Sequence, residues 1–408
     1  MQRLLIAIIL LLGLPGAADA QRCLSQRQLA FDQAADTAVA RRRNEIEERL
    51  DYLELREVAT IEVVVHVVWR TPAENISTEQ IYSQLEVLNE DYRLLNANQP
   101  DILPIFQSVK ADAEIEFVLA STDPAGNPSN GIVRVQTTYD LIGIARDDNN
   151  RRRICYSALG GSDAWCPDRY LNIWVGQFPG GIAGEASFPG QDIPAEDGIR
   201  IDPEHFGRTG AVAPPYHLGR TTTHEIGHYL NLYHLWGGDG DEDLLCQFDD
   251  EINDTPEQAY NYRNECPVGI QQSCGSPDMY QNYLNYTDDA CMALFTLGQK
   301  MRMWATLNGP RSGLLSGAAC SVAAVEPSSK PAVAAYPNPA RAGHTVKLRL
   351  PPGILAVELL DYQGRLWKRQ ATEGLTLELQ LEDTPPGAYF IRLITTHHTR
   401  AIPLVITR

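Results

Sequence analysis

Between residues 221 and 236 the chain reads TTTHEIGHYLNLYHLW. His224 and His228 are four residues apart, so on a helix their imidazoles leave the same face one turn apart. That separation lets two ring nitrogens reach one zinc ion at about 2.0–2.1 Å each. Glu225 stands beside them and can meet a water at the metal without ligating it. His234 reaches the same ion only if the helix stops and the chain bends back. Asn231 is the expected place for that bend, because after glycine it is Asn that adopts the left-handed conformation most readily. Three neutral imidazoles leave zinc a fourth position for water, the coordination of a hydrolytic centre. In a chain with nine histidines HExxH alone is a moderate signal. The third histidine at this spacing makes it a strong one.

Such a helix needs a framework. Residues 60–69, TIEVVVHVVW, form a β-branched run long enough for a central strand. His66 lies within it and is expected to pack in the sheet, since strand histidines more often pack than ligate. Ser77-Thr78-Glu79-Gln80 opens an amphipathic helix through about Leu95, with Ile81, Leu85, Leu88 and Tyr92 on one face. Strands are predicted at 115–119, 132–135 and 170–175. The pattern predicts an α+β fold, α/β-like in its upper half, with a mixed sheet backed by helices. Residues 321–334 turn to Ala, Pro, Ser and Val, a linker. Beyond it, short alternating runs separated by Pro-Gly turns predict a small antiparallel β-sandwich over 335–408.

Composition fixes the setting. The chain has 408 residues, 44% of them hydrophobic, and a formal charge of −18. Two or three folded domains fit that length. The acidity argues against a nucleic-acid partner, which would require a basic surface. Arg3, the apolar run 4–14 and Ala18-Asp19-Ala20 read as a signal peptide over 1–20. No later segment approaches the roughly 20 apolar residues of a membrane helix. Residues 21–57 are polar and charged, helical in pattern from Gln28 to Leu55, and their Arg41-Arg42-Arg43 run offers a site for trypsin-like cleavage. This segment is read as a propeptide ahead of a catalytic domain over 58–320. The eight cysteines of an exported chain are more often disulfides than ligands. Cys155 and Cys166 would close a short local loop. Cys23 has no local partner; it is either a thiolate held at the metal or a disulfide partner of Cys320.

These motifs resemble the metzincin clan of zinc peptidases and, within it, the pappalysin family (cytophagalysin-like). The resemblance rests on VVVHVVW at 63–69, GSDAWCPDRYLNIWVG at 161–176, LGRTTTHEIGHYLNLYHLWG at 218–237 and NYTDDACMALFTLGQKMRM at 285–303. It implies a metzincin-type catalytic domain with a mixed five-stranded sheet and an active-site helix, acting as a zinc metalloendopeptidase on proteins or peptides. It puts Leu284 where relatives carry the methionine of a turn below the metal, and Tyr286 where they carry a tyrosine that steadies the transition state. It pairs Cys246 with Cys274 and Cys266 with Cys291. It suggests calcium at Asp250, Asn253 through its carbonyl, and Thr255, with Asp249 or Asp254 as further donors. Cys23 resembles the cysteine switch of latent relatives.

The end of the chain, with YPNPA at 336–340 and LEDTPPGAYFIRL at 381–393, resembles a type IX secretion sorting domain. That implies export through the periplasm of a Gram-negative bacterium, then release or surface attachment. The resulting expectation is a secreted zinc endopeptidase made as a latent zymogen. The alternative of another class is a catalytically inactive, zinc-binding surface protein.

Overall fold

A computed structural model describes residues 58–237 and 246–317, together with Cys23, Ser25, Cys320 and most of 334–407. The expected signal peptide, the propeptide apart from Cys23 and Ser25, and the linker before Ala334 lie outside the described residues.

The β-branched run forms the long strand β1 (Ala59–Trp69). Its Val63, Val64, Val65, Val67 and Val68 are all buried, as an apolar run covered on both sheet faces must be. The helix α1 (Thr78–Tyr92) follows, with the Ser77 side chain accepting from the Gln80 amide. It ends at Tyr92, short of the expected 95, because Leu94 turns left-handed at φ 51°. Its residues Ile81, Leu85, Leu88 and Tyr92 enter the main core.

A short strand β2 (Lys110–Ala111) precedes β3 (Ile115–Leu119), β4 (Ile132–Gln136), β5 (Leu171–Val175), β6 (Gly184–Ala186) and β7 (Ile199–Ile201). The sheet runs β3-β1-β5-β7-β6, with β4 also paired to β1. The sheet is therefore five strands across but contains six strands. β1 is long enough to pair with β3 through Ala59–Val63 and with β4 through Val65–Trp69 on one flank. All these pairings are parallel except that of the edge strand β6, which runs antiparallel to β7. His66 packs as expected: it is buried, stacked on Trp174, and bonded to Ser162 at 2.8 Å and Asn172 at 3.0 Å.

Below the sheet lie α2 (Arg220–Tyr229), the hairpin β8 (Gln272–Ser273) and β9 (Ser276–Pro277), and β10 (Phe295–Thr296) paired with β2. Next come α3 (Leu297–Leu307), closed by a Thr296/Gln299 capping box, and the short α4 (Gly313–Ser316).

Disulfides join Cys246 to Cys274 and Cys266 to Cys291, as the resemblance implied, but the expected Cys155–Cys166 loop does not form. Cys166 is bonded instead to Cys320. Cys155 is a buried thiol inside an apolar cluster with Val68, Ile142, Ile154 and Trp174. Cys166 belongs to a different cluster, around Val64, Ala120 and Tyr170. The Cys23–Cys320 pairing is excluded by the same bond.

The C-terminal region is the expected β-sandwich. Strands β11 (Ala334–Tyr336), β12 (Ala340–Arg341), β13 (Thr345–Arg349), β14 (Ala356–Asp361), β15 (Leu366–Ala371), β16 (Thr376–Gln380), β17 (Gly387–Ile394) and β18 (Thr399–Thr407) form two sheets. Their orders are β11-β13-β16 and β12-β18-β17-β14-β15. Alternate residues such as Val357, Leu359, Ile391 and Leu393 fill the space between them.

Candidate metal centre

The helix α2 buries every one of its residues, so its two histidines are held by packing as well as by spacing. It stops after Tyr229. The amides of Leu230, Asn231 and Leu232 return to the carbonyls of Ile226, His228 and Gly227, which closes the helix end. Asn231 takes φ 74°, the left-handed turn that the sequence required. The chain then reverses and brings His234 back under α2.

The three Nε2 atoms converge. His224 and His228 are 3.0 Å apart, His228 and His234 3.1 Å, and His224 and His234 3.2 Å. The Nδ1 of His224 donates to the Tyr283 carbonyl at 2.7 Å, and that of His228 to the Leu232 carbonyl at 2.7 Å. Those bonds fix the tautomer, leaving lone pairs on both Nε2 atoms. Burial pulls the His228 pKa down to about 4, so its ring is neutral. Lone pairs so close repel unless a cation lies between them. A tetrahedral zinc with bonds of about 2.0 Å spaces its nitrogens by about 3.3 Å, so the donor set fits that ion.

Cys23 completes the cluster: its sulfur and the three histidine nitrogens all lie within 4.8 Å of one another. Cys23 forms a parallel bridge to Gly184 on the edge strand β6. Glu225 is fully buried beside the site. Its Oε2 accepts from the Ser25 hydroxyl at 2.7 Å and contacts the Cys23 sulfur at 3.4 Å. The Ser25 oxygen in turn accepts from the Ala186 amide of β6 at 2.6 Å. Tyr286 donates to the Cys23 carbonyl at 3.2 Å, and its ring lies 4.9 Å from that of His234. Burial holds the Tyr286 hydroxyl well above its ordinary pKa, so it remains a proton donor.

Beneath the site Leu284 is fully buried. A Cβ built on Gly227 would meet the Leu284 side chain at 3.0 Å, so this glycine lets the leucine floor approach α2.

The comparisons agree with this geometry. A family described as Pregnancy-associated plasma protein-A matches residues 159–308. Extracellular metalloprotease 1 of Coccidioides posadasii is 30% identical over 280 residues, covering 66% of this chain and 84% of that protein. Mature mirolysin of Tannerella forsythia, solved with a cleaved peptide, is 43% identical with TM-score 0.59, over 64% of this chain and 97% of that one. The chain belongs to the pappalysin family.

As a pappalysin it is a zinc metalloprotease acting on proteins, secreted or held at the cell surface and made as a latent zymogen. A second solved relative, a mutant of promirolysin from the same organism, is 39% identical with TM-score 0.65, over 72% of this chain and 97% of that one. Residues 334–407 match a Secretion system C-terminal sorting domain, so the type IX secretion machinery is a partner. Among the described residues no helix is long and apolar enough to cross a membrane. Nothing in these relatives supports the catalytically inactive alternative.

The proposed calcium residues are brought together only in part. Asp250 is buried and accepts from Thr255 Oγ1 at 2.7 Å, whereas the Asn253 side chain is exposed. Asp254 is taken up by α3, accepting from Thr296 at 2.7 Å and from the Gly298 amide at 2.8 Å. Asp249 accepts from the Glu251 amide at 2.9 Å. The sequence reading missed Ser25. No spacing signal marked it: a lone serine near the start of the chain reveals its partner only once Glu225 is folded beside it.

Proposed function

We propose that His224, His228 and His234 hold the catalytic zinc of this secreted pappalysin, that Glu225 is its general base and that Tyr286 steadies the oxyanion. The observation that carries this reading is the convergence of three buried Nε2 atoms at 3.0–3.2 Å beside a buried Glu225. Zinc, when bound, supplies Lewis acidity that polarises the scissile carbonyl and acidifies a water. Glu225 takes the proton of the attacking water and passes it to the leaving amine. The Tyr286 hydroxyl donates to the carbonyl oxygen as charge develops on it. Substrate lies extended along the edge strand β6, where the Cys23 segment sits in the precursor.

Latency belongs to the same proposal. Cys23 occupies zinc's open position in the precursor, and Ser25 takes up the Glu225 oxygen that would receive the proton. The place of Cys23 among the three histidines and the Ser25 bond to Glu225 support this. So does the wider match to promirolysin, 72% of this chain against 64% for the mature enzyme. Residues 1–20 are a signal peptide and 21–57 the propeptide, released by cleavage after Arg43, near Arg56. Residues 335–408 carry the catalytic domain, 58–320, across the outer membrane. We also place calcium at Asp250, Thr255 and the Asn253 carbonyl. Asp250 Oδ2 is buried and has no hydrogen-bond partner among the described residues, which suits a cation ligand.

The test is Glu225→Ala in the processed enzyme. It should keep one zinc per chain by metal analysis and lose casein digestion. Casein digestion at the native rate by this variant would sink the assignment.

A further inference from the structure

The side chain of Asp91, near the end of α1, has no part in the chemistry above, yet it is fully buried. Burial of a carboxylate is costly unless its oxygens are well bonded. Here each oxygen has a different partner. Oδ1 accepts from the Tyr283 hydroxyl at 2.8 Å, and Oδ2 from the Thr223 hydroxyl at 2.8 Å. Arg220 approaches Oδ1 at 3.5 Å and offsets the charge.

Both partners lead to one histidine. Thr223 immediately precedes His224 in α2. Tyr283 supplies the carbonyl that accepts from His224 Nδ1 at 2.7 Å. The neighbouring Tyr92 adds a bond from its hydroxyl to the Thr223 carbonyl at 3.1 Å. Thus one carboxylate ties the backbone that carries the His224 ring to the backbone that orients it.

We propose that Asp91 is a positioning residue for His224, fixing the ring through Tyr283 on one side and Thr223 on the other. The inference rests on the zinc reading above. Groups that orient a ligating histidine typically contribute about 10–100-fold in metal affinity. His228 lacks such a device; its Nδ1 bonds a carbonyl four residues along its own chain. The asymmetry has a reason. The carbonyl that orients His228 belongs to the reversal itself, whereas the one that orients His224 comes from a segment 59 residues away.

The test measures zinc release from the full-length chain to a colorimetric chelator, with thermal unfolding of the same samples. Asp91→Asn should release zinc at least about tenfold faster. After processing, in excess zinc, it should show a lower kcat at unchanged KM. Tyr283→Phe and Thr223→Val each delete one hydroxyl and leave the His224 carbonyl partner in place. Each should accelerate release by a smaller factor, and neither should add its full effect to Asp91→Asn. If Asp91→Asn does not fold, these two variants carry the test. Folded variants that melt earlier but release zinc at the native rate would overturn the proposal, leaving Asp91 a fold residue only. His224→Ala is run alongside: if it too retains zinc like the native chain, the zinc reading itself fails.

Discussion

Asn231 offers a direct test of how the backbone builds the site. Its φ of 74° costs an ordinary L-residue about 1–2 kcal/mol, while glycine avoids that cost and Asn partly escapes it. Asn231 is buried at the helix end, and its side-chain oxygen accepts a long hydrogen bond, 3.4 Å, from the Tyr233 hydroxyl. Ala and Val both lack the short polar side chain that lets Asn enter this conformation, and Val adds the stiffness of β-branching. Asn231→Ala should lose about 1 kcal/mol and Asn231→Val, β-branched, about 2 kcal/mol. If the strain opposes only the reversed, zinc-competent conformation, these become about fivefold and about thirtyfold in zinc affinity. Asn231→Gly should bind at least as tightly as the native chain. Chelator competition on purified protein reads the series directly. The reasoning fails if the order Gly, Asn, Ala, Val is lost, and in particular if Val binds zinc as well as Asn.

Other consequences can be checked in parallel. Burial raises the Asp250 pKa to about 7, so between about pH 4 and 7 the folded chain keeps a proton that the unfolded chain releases. Its contribution to stability is full below pH 4 and lost as pH rises through 7. The calcium-free protein should therefore melt lower at pH 8 than at pH 6. Calcium should restore the melting temperature at pH 8, and Asp250→Asn should abolish both effects; thermal scans decide. Cys320→Ser opens a cross-link between positions 154 apart and should cost about 2–5 kcal/mol in denaturant unfolding. Cys155→Ala should leave the disulfide map unchanged by peptide mass analysis. The Cys23→Ala precursor should digest casein without prior processing; an inert precursor would refute the switch.

The metal site was unusually legible because its ligands lie within eleven residues of chain and two periodicities, helix and reversal, dictate where they point. Leu284 and Tyr286 came from resemblance, since a lone leucine or tyrosine carries no spacing signal. The cysteine that pairs with Cys166 was not legible. Sequence proximity favoured Cys155, but Cys155 faces one apolar cluster and Cys166 another, and only the folded sheet separates them. Asp91 was hidden for a similar reason: in sequence it is one acid on the helix α1, and its partners are 132 and 192 positions away. Four strands of the sheet were readable as β-branched runs, whereas the three-residue β6 and β7 are too short to show a pattern and the count of five came from resemblance. The doubling of β3 and β4 along one flank depends on where each begins, which residue patterns leave open.

The bond between Cys166 and Cys320 also bears on maturation. Cys320 lies between the regions matched to the protease family and to the sorting domain, and the bond rivets it beside Tyr170, just before β5. A cut made between residue 320 and the sorting domain would therefore leave a chain end already tied to its enzyme side. Cargo released in that way would part from its label without loosening the machine that was shipped.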